Sequence, residues 1–235
     1  MPQRWAIWLS IEGDLRFASH RDMMRVIERL ALRAGLRLRF TQGFNPHPIL
    51  SLIPPRPVGV ASRDDLLVVT LDESIEPAAL LLALRAADSP AGLKFIGAMQ
   101  LPTKATPQPR CSLYELALNP PRTKAVGARL AELAGADSWP VERMVKTGRG
   151  RRKASAGFAT RTVDLRPRVA DLRASEGTLA FAALADQQGS ARPGEVLALC
   201  GLDERTDLAS LVRVEVDYRV SGGKTDFRAA DAEQT

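Results

Sequence analysis

Between residues 4 and 34 the spacing of apolar residues changes from every second position to every third or fourth. In RWAIWLSIE (4–12), Trp5, Ile7, Leu9 and Ile11 alternate with Ala6, Trp8 and Ser10, the pattern of a strand. In residues 20–34, Met23, Met24, Ile27, Leu30, Ala31 and Ala34 share one face of a helix. Ser19 stands at the N-cap position, Asp22 three residues on, and Gly35 where a C-terminal cap belongs. The alternation continues through 36–42 (LRLRFTQ), and further strands are expected over 49–53, before PPRP, and over 66–71 (LLVVTL). A helix over 76–87 has Pro77 in its first turn, and a strand over 93–99 follows. The order β-α-β-β-α-β predicts a ferredoxin-like unit.

Residues 100–110 hold three prolines and no periodicity, which reads as a linker or crossover with a domain boundary near 105. The second part repeats the plan more loosely. Strands are expected over 111–118, 140–147, 160–166, 177–185 and 209–219, with helices over 121–134 and from Arg192-Pro193 to about residue 200. The expected fold class is α+β, two ferredoxin-like (βαββαβ) halves with antiparallel sheets. The N-terminal half spans 1–104, the C-terminal half 105–220, and 221–235 forms a flexible tail.

No apolar run reaches the ~18 residues of a membrane span, and the N-terminus lacks a small-residue cleavage site. A cytoplasmic protein is expected. Cys111 and Cys200 are far apart, and neither they nor His20 and His47 fall at zinc or iron–sulfur spacing. No phosphate-binding glycine motif or hydrolase elbow is present. The expectation is therefore no bound cofactor, no metal and, on balance, no enzyme. The net charge of +6 admits an anionic partner, and its distribution matters more than its size.

Four segments concentrate the chemistry. In LRFASHRD (15–22), Ser19 and Asp22 fit a cap, and His20 falls near the apolar face of the helix. There the positive end of the helix dipole favours neutral imidazole. Arg21, Arg25, Arg29 and Arg33 form a column at four-residue steps, opposite the Met23–Ile27–Leu30 stripe. TQGFNPHPILS (41–51) holds two successive X-Pro pairs, which keep Asn45 and His47 extended beside Phe44. Residues 141–173 carry ten Lys and Arg against three Asp and Glu. Lys146, Arg149, Arg151, Arg152 and Lys153 sit at a glycine-spaced turn, flanked by Arg143 and Arg161.

LRFASHRDMMRVIERLALRAG (15–35) and TQGFNPHPILS (41–51), with Pro55, Gly59, Val60 and Ser62, resemble a bacterial family of radical-SAM-associated proteins, a domain of unknown function. In that family the domain is often fused to, or encoded beside, a radical-SAM protein with a B12-binding domain. The resemblance is specific over residues 13–62 and looser beyond, where Arg192-Pro193 matches. It carries over Arg16, Phe17, Ser19, His20, Asp22, Arg25, Gly43, Phe44, Asn45, Pro46, His47, Pro48 and Ser51. Thr41 replaces the family's usual serine, and Val68 its usual acid in the third strand. The resemblance implies a radical-SAM partner. With only two separated cysteines, this chain would be the accessory part.

Three functions compete. The first is recognition of RNA, a tRNA or rRNA, for a separate radical-SAM enzyme. Its substrate-binding candidates are Arg16, Phe17, Ser19, His20, Arg25, Phe44, Asn45, His47, Ser51 and Arg192. Its nucleic-acid-binding candidates are Arg21, Arg29, Arg33, Lys146, Arg149, Arg151, Arg152 and Lys153. The second is a protein scaffold without nucleic acid. The third is a metal-independent endoribonuclease with His20 and His47 as general acid and base.

Overall fold

The computed structural model describes residues 2–147, 157–186, 189–221 and 226–227. The chain is α+β, and its larger sheet is mostly antiparallel. The first half comprises β1 (Gln3–Ile11), α1 (His20–Arg33), β2 (Leu50–Ile53), β3 (Ala61–Leu71), α2 (Pro77–Ala86) and β4 (Leu93–Leu101). A 3-10 turn, Gly13–Phe17, joins β1 to α1. The strands lie side by side as β4-β1-β3-β2, every pair antiparallel.

The second half comprises β5 (Thr106–Ala117), α3 (Pro120–Ala134), β6 (Pro140–Thr147), β7 (Gly157–Asp164) and β8 (Val169–Ser175). It continues through β9 (Thr178–Asp186), β10 (Gly189–Ser190), α4 (Pro193–Leu199), α5 (Glu204–Asp207), β11 (Val212–Ser221) and β12 (Asp226–Phe227). Four strands lie side by side as β11-β5-β9-β8, again all antiparallel. β6 and β7 form a separate two-stranded ribbon.

The halves meet along β3. β11 runs parallel to its first residues, Val212 beside Ala61 and Arg213 beside Ser62, and so joins both sets of strands into one sheet. Apolar packing follows the same division. Trp5, Ile7, Leu9 and Ile11 pack with Met23, Ile27 and Leu30 of α1 and Leu80 and Leu84 of α2. Tyr114, Phe181, Val126 and Val196 anchor a second core, which also takes in Val60 from the first half. Ala6 and Trp8, on the other face of β1, join Leu66, Val68, Val216 and Tyr218 in a third core shared by both halves. Val68 is thus a core residue.

Several elements differ from the sequence expectation. Residues 36–42 form no strand. Isolated bridges, Leu38 to Leu71 and Phe40 to Pro48, stand in place of a ladder. The proline-rich turn brings Pro48 back against Phe40 and leaves no regular partner edge. Residues 102–105 are a short turn, and Pro107 and Pro109 lie inside β5. They pair with β11, whereas pairing with β9 begins at Cys111, so the missing amides fall where β5 has one neighbour. β8 is not legible in the sequence. Beyond residue 221, β12 pairs with the end of β11, and the other tail residues lie outside the described ones.

Candidate functional site

Ser19 and Asp22 are a helix cap. The Ser19 hydroxyl accepts from the Asp22 amide at 3.2 Å and donates to the Asp22 carboxylate at 2.6 Å. That hydrogen bond, with the Arg25 charge, holds the Asp22 carboxyl below its usual range. Arg25 pairs with Asp22 at 3.2 Å. His20 is exposed, and its side chain has no hydrogen bond or ion pair among the described residues, so it faces solvent rather than the sheet. The helix begins at His20, and its buried stripe starts only at Met23.

Arg21, Arg25, Arg29 and Arg33 are all exposed on the outer face of α1. Arg33 lies 3.8 Å from the Asp88 carboxylate, and Arg29 donates to the Arg25 carbonyl at 3.3 Å. Arg21 forms no ion pair among the described residues. Val26, Leu32 and Pro90 line a shallow apolar hollow beside Arg29 and Arg33, and Leu32 is half exposed.

Arg16 and Phe17 end the 3-10 turn, with the Arg16 guanidinium 4.9 Å from the centre of the half-exposed Phe17 ring. A buried arginine holds this turn from below. Arg56 donates to the carbonyls of Arg16 (2.6 Å), Leu15 (3.3 Å), Pro57 (3.3 Å) and Val60. Gly59 donates to the Arg16 carbonyl at 2.8 Å and sits at a φ of 94°, which favours glycine.

The GFNPHP turn closes on itself. The Thr41 amide donates to the His47 carbonyl at 2.8 Å, and the His47 amide donates to the Thr41 hydroxyl at 3.0 Å. The turn displays Phe44, which is fully exposed, together with exposed Asn45 and His47. Ser51 is exposed on β2 beside Val68.

The two histidines are anchored to opposite ends of β3. His20 follows the turn tied to Gly59, just before Ala61, whereas the GFNPHP turn is tied through Arg39 and Ile49 to Thr70. The ten residue steps of β3 span roughly 33 Å at ~3.3 Å per residue. A general acid and base serving one phosphate must lie within a few ångströms of it. The fold does not bring His20 and His47 together for that chemistry.

Arg192 is the N-cap residue of α4. Its amide donates to Glu195 at 3.0 Å, and its side chain is mostly exposed. Arg143, expected on the basic surface, is instead nearly buried. Its guanidinium grips Glu195 in two bonds of 2.8 and 2.6 Å, which raises its pKa. Lys146 lies on β6 opposite Phe158. Arg149, Arg151, Arg152 and Lys153 lie outside the described residues.

Sequence reading missed the polar cluster at the junction of the halves. Arg213, Asp65 and Ser62 are completely buried. Arg213 donates to Asp65, to the Ser62 hydroxyl at 3.2 Å and to the Pro54 carbonyl at 3.2 Å, while Ser62 donates to Asp65. Asp64 accepts the Val216 amide at 2.8 Å, and burial raises its pKa. Tyr218 donates to the Ile53 carbonyl at 2.8 Å. Burial lowers the Arg56 pKa, opposed by the charge of Asp65. The sequence does hold a signal: Ser62-Arg63-Asp64-Asp65 places two acids directly before an apolar strand.

Among the described residues, no three His, Cys, Asp or Glu side chains are placed to hold a metal, and no helix is long and apolar enough to cross a membrane. No curated protein matches the chain. The crystal structure of an unknown protein from Galdieria sulphuraria is 12% identical, with 94% of this chain and 99% of that chain covered and a TM-score of 0.23. The family model for an uncharacterized protein conserved in bacteria (DUF2344) matches residues 4–193, and with that span the chain belongs to this family.

Proposed function

We propose that this protein is a non-catalytic recognition module that binds the backbone of a structured RNA, a tRNA or rRNA, for a separate cytoplasmic radical-SAM enzyme. The observation that carries this reading is the arginine face of α1. Four guanidinium groups at four-residue steps stay exposed, with only Asp22 and Asp88 paired to them among the described residues. Like charges at this spacing repel, and phosphates relieve that repulsion. Exposed Phe17 and Phe44 lie toward the two ends of the same helix and offer flat faces for unpaired bases. The motif resemblance supplies the radical-SAM partner. Each half is read as ferredoxin-like, because β4-β1-β3-β2 and β11-β5-β9-β8 repeat one strand order with helices between. The boundary between the halves is placed near residue 105.

The test is RNA binding by fluorescence anisotropy across a salt series. Wild-type affinity should fall steeply with salt. Changing Arg21, Arg25, Arg29 and Arg33 together to Ala should weaken binding and flatten the slope by ~2–4, near one unit for each phosphate no longer neutralised. An unchanged slope would contradict the α1 assignment. The scaffold reading draws on a different feature, the hollow of Val26, Leu32 and Pro90 beside Arg29 and Arg33. It is favoured if the chain captures the radical-SAM protein and Leu32→Asp breaks that capture while RNA does not bind.

A further inference from the structure

The β6–β7 ribbon sets Arg143 and Arg161 directly opposite each other. Opposed residues of an antiparallel pair point to the same face, and like charges in that position repel. The face they share closes over an open cavity of about 310 Å³, whose rim also includes Arg168, Thr162, Asp164 and Pro167. Three arginines therefore line one hollow.

Their partners are unequal. Arg143 is held in place by Glu195 and by the Ser190 carbonyl at 3.1 Å. Arg168 is nearly buried and lies 3.8 Å from Asp186. Asp164 is the acid on the rim, but its carboxylate is committed to backbone amides, those of Trp139 at 2.7 Å and Arg166 at 3.0 Å. Arg161 has no carboxylate partner among the described residues, and it is exposed at the mouth of the hollow.

We infer that this cavity is a phosphate-binding site, with Arg161 as its principal ligand and Arg143 and Arg168, held in place by Glu195 and Asp186, fixed in its wall. A phosphoryl group fits the chemistry of the site. It is compact, carries up to two negative charges, and takes a guanidinium in a bidentate grip. The phosphate could belong to a free nucleotide or to an RNA strand, and the chemistry of the pocket is common to both. The site lies in the second half, away from α1, and does not depend on the RNA reading drawn from that helix.

The experiment is titration calorimetry at low salt on the full chain. The probes are inorganic phosphate, a nucleoside monophosphate, and a trinucleotide with internal phosphates only. Wild type should bind inorganic phosphate. Arg161→Ala should lose at least tenfold in affinity, and Arg161→Lys should recover part of it as a point charge. Because the Arg161 side chain is exposed and pairs with no carboxylate among the described residues, the thermal midpoint of Arg161→Ala should match wild type. That match separates a missing ligand from a failed fold. A stronger response to the mononucleotide assigns a free nucleotide, and a stronger response to the trinucleotide assigns an RNA strand. Absence of binding by wild type to all three probes, or equal binding by Arg161→Ala, would overturn the site. Changing the α1 arginines to Ala should leave phosphate binding intact, so failure of that reading and failure of this one give different results.

Discussion

Arg213 shows how one residue can reverse the face of a strand. In V-R-V-E-V-D-Y (212–218), strict alternation would put Val212, Val214 and Val216 inside and Arg213 outside. Arg213 pairs with Tyr114 and Glu215 with Leu113, so Val214 is an extra residue, a bulge. The bulge lets Arg213 and Val216 both point inward, and the guanidinium then meets Asp65 and Ser62. Arg213's place in the cluster is hidden in the sequence because a bulge leaves no mark in composition or period, so only the acidic side, Asp64-Asp65 before an apolar run, has a sequence signal. Its energetics are testable. Asp65→Ala would leave the Arg213 charge buried without its carboxylate, and should cost ~3–5 kcal/mol in urea denaturation. Asp64 behaves differently. Burial raises its folded pKa above 3.8, so its contribution to stability is fully present below the unfolded pKa and is lost as pH rises through the folded one. Asp64→Asn keeps an oxygen acceptor for the Val216 amide without the charge. The variant should equal or exceed wild-type stability at pH 7, and the difference should fade as pH falls toward 3.8. A deficit at neutral pH would show that the Asp64 charge is itself stabilising.

At the scale of elements, legibility tracks how far the local signal agrees with tertiary context. α1 is readable almost to the residue because a cap, an apolar stripe and a stop signal coincide between Ser19 and Gly35. Ser19→Ala should therefore cost ~1 kcal/mol in denaturant unfolding through loss of the cap. That loss should appear whether or not RNA binds, because the hydroxyl is fully used by Asp22. Residues 36–42 show the opposite case. Their alternation is as regular as that of β1, but the GFNPHP turn leaves them two bridges instead of a ladder. The turn itself is legible as a rigid display, since X-Pro pairs fix backbone wherever they stand. What it displays follows from burial. Phe44 is fully exposed, so Phe44→Ala should change the unfolding free energy in urea by no more than the ~0.5 kcal/mol typical of surface changes. A larger loss would mean that the ring packs on the protein in solution. The candidate site is thus half legible. The exposed arginines and the turn can be found by pattern, whereas the Arg56 anchor beneath Phe17 cannot, because two of its carbonyl partners, Leu15 and Arg16, lie far from it along the chain.

For the molecule as a whole, the packing between the halves makes separate folding units an unfavourable outcome. Val60 of the first half fills the second half's core, and the third core draws Trp8, Leu66 and Val68 from one half and Val216 and Tyr218 from the other. The Arg213–Asp65 pair and the β3–β11 ladder cross the same boundary. Opening that boundary would bring Trp8, Leu66, Val68, Val216 and Tyr218 into water at roughly 1.5–3 kcal/mol per large apolar side chain, a sum on the scale of a domain's whole stability. The halves should therefore unfold in one transition. The three tryptophans offer a direct check, since Trp5 and Trp8 lie in the first half and Trp139 in the second. In a Trp139→Phe variant, fluorescence reports the first half through Trp5 and the shared core through Trp8, while far-ultraviolet circular dichroism follows every strand and helix. The two signals should give one midpoint and one slope in urea. If fluorescence moved at a lower or higher denaturant concentration than the dichroism, the halves would be independent. The shared core would then contribute little to holding the α1 face and the β6–β7 pocket in fixed relation.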